Sequence, residues 1–148
     1  MSVAMTEFRH GRCLCGAVRV SVANPAQDLS VCHCSMCRRW SGSSPSLMVP
    51  EAALAVQGAE HVKAYTSSDW AERTFCDRCG SALWYRMTAE GAPRDYYMAA
   101  GLLDDLSGMS VGHEIYVDCR PEGFPAAGAP QRLTEAEFLA TLAGESTP

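Results

Sequence analysis

A chain of 148 residues, 47% apolar and 20% charged, has the size and composition of a single folded domain, residues 1–148, and is too apolar for a disordered chain. No apolar run approaches the roughly 20 residues of a membrane-spanning helix. A net charge of −5 without any long Lys/Arg run argues against a module that neutralises nucleic-acid phosphates.

Residues 1–12 show no apolar core followed by a small-residue cleavage site, so a cytoplasmic protein is expected. Residues 16–22 alternate, with Val18, Val20 and Val22 on one face, as in a half-buried strand. Residues 29–32 read as a second short strand, 38–44 as a turn and 47–49 as a further extended run before Pro50. Pro50 suits a first helical position, so 51–56 reads as a short helical turn. Residues 61–66, 82–87, 96–100 and 112–117 are strand candidates rich in Tyr, Val and Ile. Residues 121–130, rich in Gly, Pro and Ala, read as a loop or arm. The spacing of Thr134 and Glu137 fits a capping box, and Phe138, Leu139 and Leu142 form a stripe before Gly144, which predicts a C-terminal helix over 134–143. Many short strands and one good helix predict a mainly β fold.

The eight cysteines are unusual for a chain without an export signal. In a reducing compartment such residues are metal ligands or catalytic groups more often than disulfides. Seven fall in tight groups that cannot easily bridge internally: Cys13 and Cys15; Cys32, Cys34 and Cys37; Cys76 and Cys79. On an extended chain Cys13 and Cys15 face the same side, so both can reach one ion. Cys76-Asp-Arg-Cys79-Gly80 has the form of a zinc-knuckle turn, whose glycine tolerates positive φ. Two cysteines from each give a closed, four-thiolate structural zinc site; the alternative is two buried reduced pairs.

Cys32-His-Cys34-Ser-Met-Cys37 supplies three thiols within six residues and leaves a fourth zinc position open for water or substrate. An open zinc is a Lewis acid and holds a coordinating thiol fully deprotonated, which suits chemistry at sulfur. His33, His113 or Cys119 could instead close the site and make it structural. His33 is disfavoured, because on an extended segment it points away from its neighbours. Arg38 and Arg39 either offset thiolate charge or hold a substrate carboxylate, or are simply solvated. Trp40 reads as a core residue.

Three segments together, Gly11-Arg-Cys-Leu-Cys-Gly16, Cys32-His-Cys-Ser-Met-Cys-Arg-Arg-Trp-Ser-Gly42 and Phe75-Cys-Asp-Arg-Cys-Gly80, resemble the glutathione-dependent formaldehyde-activating enzyme family, with which centromere protein V is grouped. The similarity extends through Gly101-Leu-Leu-Asp-Asp105 and His113-Glu-Ile-Tyr-Val-Asp118. The resemblance implies a zinc-pinned β-tent of small antiparallel sheets. By it, Cys13, Cys15, Cys76 and Cys79 hold a structural zinc, and Cys32, Cys34 and Cys37 a second zinc, two per chain. It also implies a carbon–sulfur lyase reaction that joins glutathione reversibly to formaldehyde, with a small thiol or thiol adduct as the partner. Cys119 stands where a small polar residue is expected and reads as a buried free thiol, with a redox partner or a fourth ligand as alternatives. Two further readings compete. One is a thiol enzyme like the type B methionine sulfoxide reductases using Cys119; the other is a non-catalytic zinc-stabilised binding module.

Overall fold

The computed structural model describes residues 5–124, 131 and 133–144. Two sheets form the body. The first is antiparallel, in the order β1 (Phe8–Arg12), β2 (Arg19–Ala23), β5 (Leu54–Gln57). The second has seven strands: β3 (Asp28–Cys32), β4 (Ser46–Val49), β6 (Val62–Ser68), β7 (Ala71–Cys76), β8 (Ala82–Met87), β9 (Tyr96–Ala99) and β10 (Ser110–Ile115). Their order is β10-β3-β4-β9-β8-β7-β6, and only the β10–β3 pair is parallel. The fold is thus mainly β. The sheets are antiparallel, as expected, apart from one parallel pair where the chain returns after β9 to lay β10 beside β3.

Burial follows the period of two. Val20 and Val22 of β2 and Leu47 and Val49 of β4 turn inward and meet Val18, Leu83, Trp84, Met98 and Leu103 in one core. β1, β5 and β7 have no such alternation in sequence, and none of the three is visible as a strand there. In β7 the reason is a bulge: the register with β8 shifts between Arg73 and Phe75, and Arg73 and Thr74 are both buried. The Thr74 hydroxyl donates to the Trp84 carbonyl and accepts from the Trp84 amide, both at 3.1 Å, so the polar groups at the bulge stay paired.

Two local readings are corrected. Residues 38–44 are not a turn: α1 spans Ser35–Ser41. Its N-cap is Cys34, whose Sγ accepts the Cys37 amide at 3.3 Å, and its C-cap is Gly42 at φ 67°, a conformation that favours glycine. A seven-residue helix capped by a cysteine and lacking an apolar stripe carries none of the usual start signals. Residues 51–56 split into a 3₁₀ turn, Glu51–Ala53, and β5. Helix α2 spans Glu135–Leu142, and Thr134 and Glu137 make both bonds of a capping box. Most of the loop read at 121–130 lies outside the described residues. No helix among those described is long and apolar enough to cross a membrane.

Candidate metal centres

Two similar turns build the first centre. In each, the leading cysteine pairs its main chain with the residue five positions on. The Cys13 amide donates to the Val18 carbonyl at 2.9 Å, and the Cys76 amide to the Ser81 carbonyl at 3.0 Å. Gly80, at φ 77°, lets the second turn close with its amide on the Cys76 carbonyl. The four Sγ atoms of Cys13, Cys15, Cys76 and Cys79 all lie within 4.8 Å of one another. Four sulfurs held about 2.3 Å from one ion stand about 3.8 Å apart in a tetrahedron. Cys13–Cys15 at 3.6 Å and Cys15–Cys76 at 3.9 Å match that spacing, so the donor set fits zinc.

The surroundings of these sulfurs are also arranged for negative charge. Val18 donates its amide to Cys13 Sγ at 3.3 Å. The Ser81 hydroxyl accepts the Leu14 amide at 3.0 Å and reaches Cys79 Sγ at 3.2 Å, tying the two turns together. The Ser81 hydroxyl and amide hold the Cys79 thiol down to about 5. Burial raises the Cys13 thiol, but the Val18 amide and the Cys15 and Cys76 sulfurs outweigh it, and the net shift is downward. Cys15 is pushed up to about 11: the Ala17 amide lowers it, and desolvation with three neighbouring sulfurs prevails. Four adjacent thiols cannot all ionise alone, so one keeps a proton that a cation would displace.

The second centre sits at the end of β3 and the start of α1. Cys32 closes the strand, Cys34 caps the helix and Cys37 lies in its first turn, with the three Sγ atoms within 4.8 Å of one another. The same division of charge appears. Burial, with the Cys34 and Cys37 sulfurs beside it, pushes Cys32 up to about 12. Cys34 is lowered on balance: burial raises it, and the Cys37 amide and the two sulfurs outweigh that. Three thiols that share protons fit a cation as well.

None of the three residues considered as a fourth ligand joins this cluster. His33 is 2% exposed, and its Nε2 meets Glu114 Oε1 at 2.9 Å. His113 Nδ1 pairs with Asp28 Oδ2 at 2.7 Å. Cys119 is exposed rather than buried; it ends the 3₁₀ turn Val117–Cys119, at the surface beyond β10, outside both cysteine groups.

The open side of the cluster faces a cavity of about 440 Å³ lined by all three cysteines. The parallel β10 completes its wall. Ile115 pairs in register with Cys32, the His33 amide donates to the Ile115 carbonyl at 3.0 Å, and Tyr116 then takes φ 55°. A left-handed tyrosine is strained by about 1–3 kcal/mol, and the conformation sets its ring on the cavity wall.

Arg38, in the last turn of α1, is half-buried and does not line the cavity, and Arg39 is exposed with its guanidinium on the Ser35 carbonyl. The charged group there is Arg73 of β7, aimed inward next to the bulge and 4% exposed. Its guanidinium lies 5.0 Å from the ring centroids of both Trp40 and Tyr85, and its two terminal nitrogens donate to Cys37 Sγ at 3.8 and 3.7 Å. Trp40 is therefore a wall of the cavity and a partner of Arg73, not a core residue. Nothing around Arg73 in the sequence marks it, since only strand pairing brings it to Cys37; Ser81, two residues from Cys79, was within reach of a local reading.

A Schizosaccharomyces pombe protein named as an uncharacterized lyase is 29% identical over 138 residues, covering 93% of this chain and 98% of that protein. A Halomonas elongata protein, named for glutathione-dependent formaldehyde activation, is 40% identical over 83 residues, half of this chain and 53% of that protein. The crystal structure of a Rhodobacter sphaeroides protein matches with a TM-score of 0.57 at 28% identity, covering 71% of this chain and 98% of that chain. The model of the family described as "Glutathione-dependent formaldehyde-activating enzyme" matches residues 8–119, which spans every strand and both cysteine centres. The chain belongs to the glutathione-dependent formaldehyde-activating enzyme family.

Proposed function

We propose that the chain is a metal-dependent lyase that makes and breaks the carbon–sulfur bond of thiol–aldehyde adducts in the cavity beside Cys32, Cys34 and Cys37. Cys13, Cys15, Cys76 and Cys79 hold a second, structural ion, and both ions are zinc. One observation carries the reading: three sulfurs converge with no fourth side chain among the described residues, and their free side opens onto a cavity. The names of the relatives, a lyase and a formaldehyde-activating protein, point the same way.

When bound, zinc supplies Lewis acidity that keeps a coordinated thiol ionised. Cys32, Cys34 and Cys37 fix the position of the reacting sulfur, and Arg73 offsets the negative charge that three thiolates bring to a half-buried site. In the cleavage direction the carbon–sulfur bond breaks and its electron pair goes to sulfur. The hydroxyl proton of the adduct passes to solvent water as the aldehyde carbonyl forms, and no oxidant is involved. Burial raises the Tyr85 phenol, more than the Arg73 charge lowers it, so its hydroxyl stays protonated and can donate to the aldehyde oxygen in the reverse direction. The catalytic group is thus the three cysteines, with Tyr85 as the proton-bearing neighbour. A cytoplasmic, reducing setting suits a chain whose eight cysteines are all free. The reductase reading needs Cys119 at a substrate cavity, and its exposed position away from this one gives that reading no support.

The test is metal content and turnover together. Native mass spectrometry should find two zinc ions per chain, and the loaded protein should speed the decay of S-(hydroxymethyl)glutathione or of another hemithioacetal. Cys34→Ser should abolish the acceleration and retain one ion. A fully loaded protein that leaves every hemithioacetal at its buffer rate overturns the reading.

A further inference from the structure

The walls of the cavity are aromatic out of proportion to the chain. Of three Trp and five Tyr, five line it: Trp40, Trp70, Tyr85, Tyr97 and Tyr116. Met36, Met87 and Ile115 fill the gaps between them with adaptable apolar surface. Several serines add neutral hydroxyls, but Arg73 is the one charged side chain among the described residues of the lining, and it is already engaged. Two rings stand 5.0 Å from its guanidinium and its terminal nitrogens point at Cys37.

Charge balance sharpens this picture. Three thiolates around a divalent cation leave one negative charge, and Arg73 cancels it. An incoming thiolate uses up whatever attraction remains. Any further charge on the ligand would lie against aromatic walls with no opposite partner, at a penalty of several kcal/mol where it is buried. Glutathione carries two carboxylates and an ammonium, and the lining offers no free cation for the first and no carboxylate for the second.

Resting on the proposed lyase reading, we infer that the cavity takes a thiol–aldehyde adduct whose organic part is uncharged and aromatic, in preference to one of glutathione. Edge and face contacts with five rings supply the affinity, and the missing charges supply the discrimination. The aromatic group sits against Trp70, which closes the cavity from the turn between β6 and β7. Trp70 is 54% exposed, so it is available to a ligand and little used by the core.

The cobalt-loaded full-length protein separates the inference from the reading beneath it. Titration with 2-mercaptoethanol, benzyl mercaptan and glutathione is followed by the cobalt–thiolate absorption bands and by tryptophan fluorescence. All three thiols should perturb the cobalt bands, and benzyl mercaptan should bind at least about tenfold more tightly than glutathione, a difference of about 1.4 kcal/mol. Trp70→Ala, shown folded by circular dichroism, should bring those two affinities within about threefold of each other. If glutathione binds as tightly as benzyl mercaptan, the aromatic preference is wrong and the open metal site stands; if Trp70→Ala leaves the ratio intact, the placement of the aromatic group against Trp70 is wrong. If no thiol perturbs the cobalt bands, the open metal site itself is wrong and the inference falls with it.

Discussion

Arg73 has no carboxylate partner among the described residues, and burial of an unpaired guanidinium is expensive, so its contacts with the Cys37 sulfur and two rings are its compensation. With a metal held as proposed, removal of Arg73 would leave a negative metal–thiolate group without an opposite charge. Arg73→Met should therefore weaken the metal at the three-cysteine site by about 10–100-fold, the usual loss when a group that supports a ligand is removed. Arg73→Lys should recover little, because an ammonium lacks the planar, delocalised fork that meets two rings and directs two nitrogens at one sulfur. Chelator competition followed by native mass spectrometry reads both, and full recovery by lysine would show that charge alone matters. Ser81 plays the matching part at the other site. Ser81→Ala removes the hydroxyl shared by the Leu14 amide and Cys79 and should lower stability by about 1 kcal/mol in denaturant unfolding, with the second metal unaffected. The cysteine clusters were legible because the spacings within each group are local: two, three and five residues. Arg73 was not, since Cys37 lies 36 residues away and a bulge decides where the arginine points.

The N-cap atom of helix α1 is also the ligand atom proposed for the metal. Cys34 Sγ accepts the Cys37 amide and also faces Cys32 and Cys37, so a substitution there has two separable effects. Serine restores the cap and alanine does not, whereas neither supplies the sulfur. Cys34→Ser and Cys34→Ala should thus lose the second metal equally, while alanine costs about a further 1 kcal/mol, or about 2–4 °C in Tm for a chain of this size. Thermal unfolding of the two variants, each with the four-cysteine site loaded, measures that difference; equal Tm values would show that the amide–sulfur bond does not stabilise the helix. The elements legible in the sequence were those with alternation, such as β2, or with a full cap, such as α2. Helix α1 was hidden because its start signal is a sulfur, and β7 because its inward residues include an arginine and a threonine instead of apolar types.

Across the whole molecule the two proposed centres would hold different things together. Cys13 and Cys15 follow β1 in the three-stranded sheet, while Cys76 ends β7 and Cys79 precedes β8 in the seven-stranded one, so an ion held there would join the sheets. Beside the shared core, the polar cross-sheet links among the described residues include the Leu14 amide on the Ser81 hydroxyl, the bridge between Gly11 and Leu103, the Asp104 amide on the His10 carbonyl, and Arg9 on the carbonyls of Asp105 and Ser107. A cross-link over about 60 residues removes roughly 4 kcal/mol of unfolded-chain entropy, against about 2 kcal/mol for one that spans only five. Total domain stability is about 5–15 kcal/mol, so loss of the first is severe and loss of the second is tolerable. Three cysteines would leave one position on their ion open to a chelator, whereas four cysteines would fill the positions on theirs. Rising chelator should accordingly remove one zinc with the far-ultraviolet circular dichroism unchanged, and the second only as that signal collapses. Cys76→Ser should mimic the second step and Cys32→Ser the first. Simultaneous loss of both ions, or a folded Cys76→Ser protein, would show that the core alone holds the two sheets together.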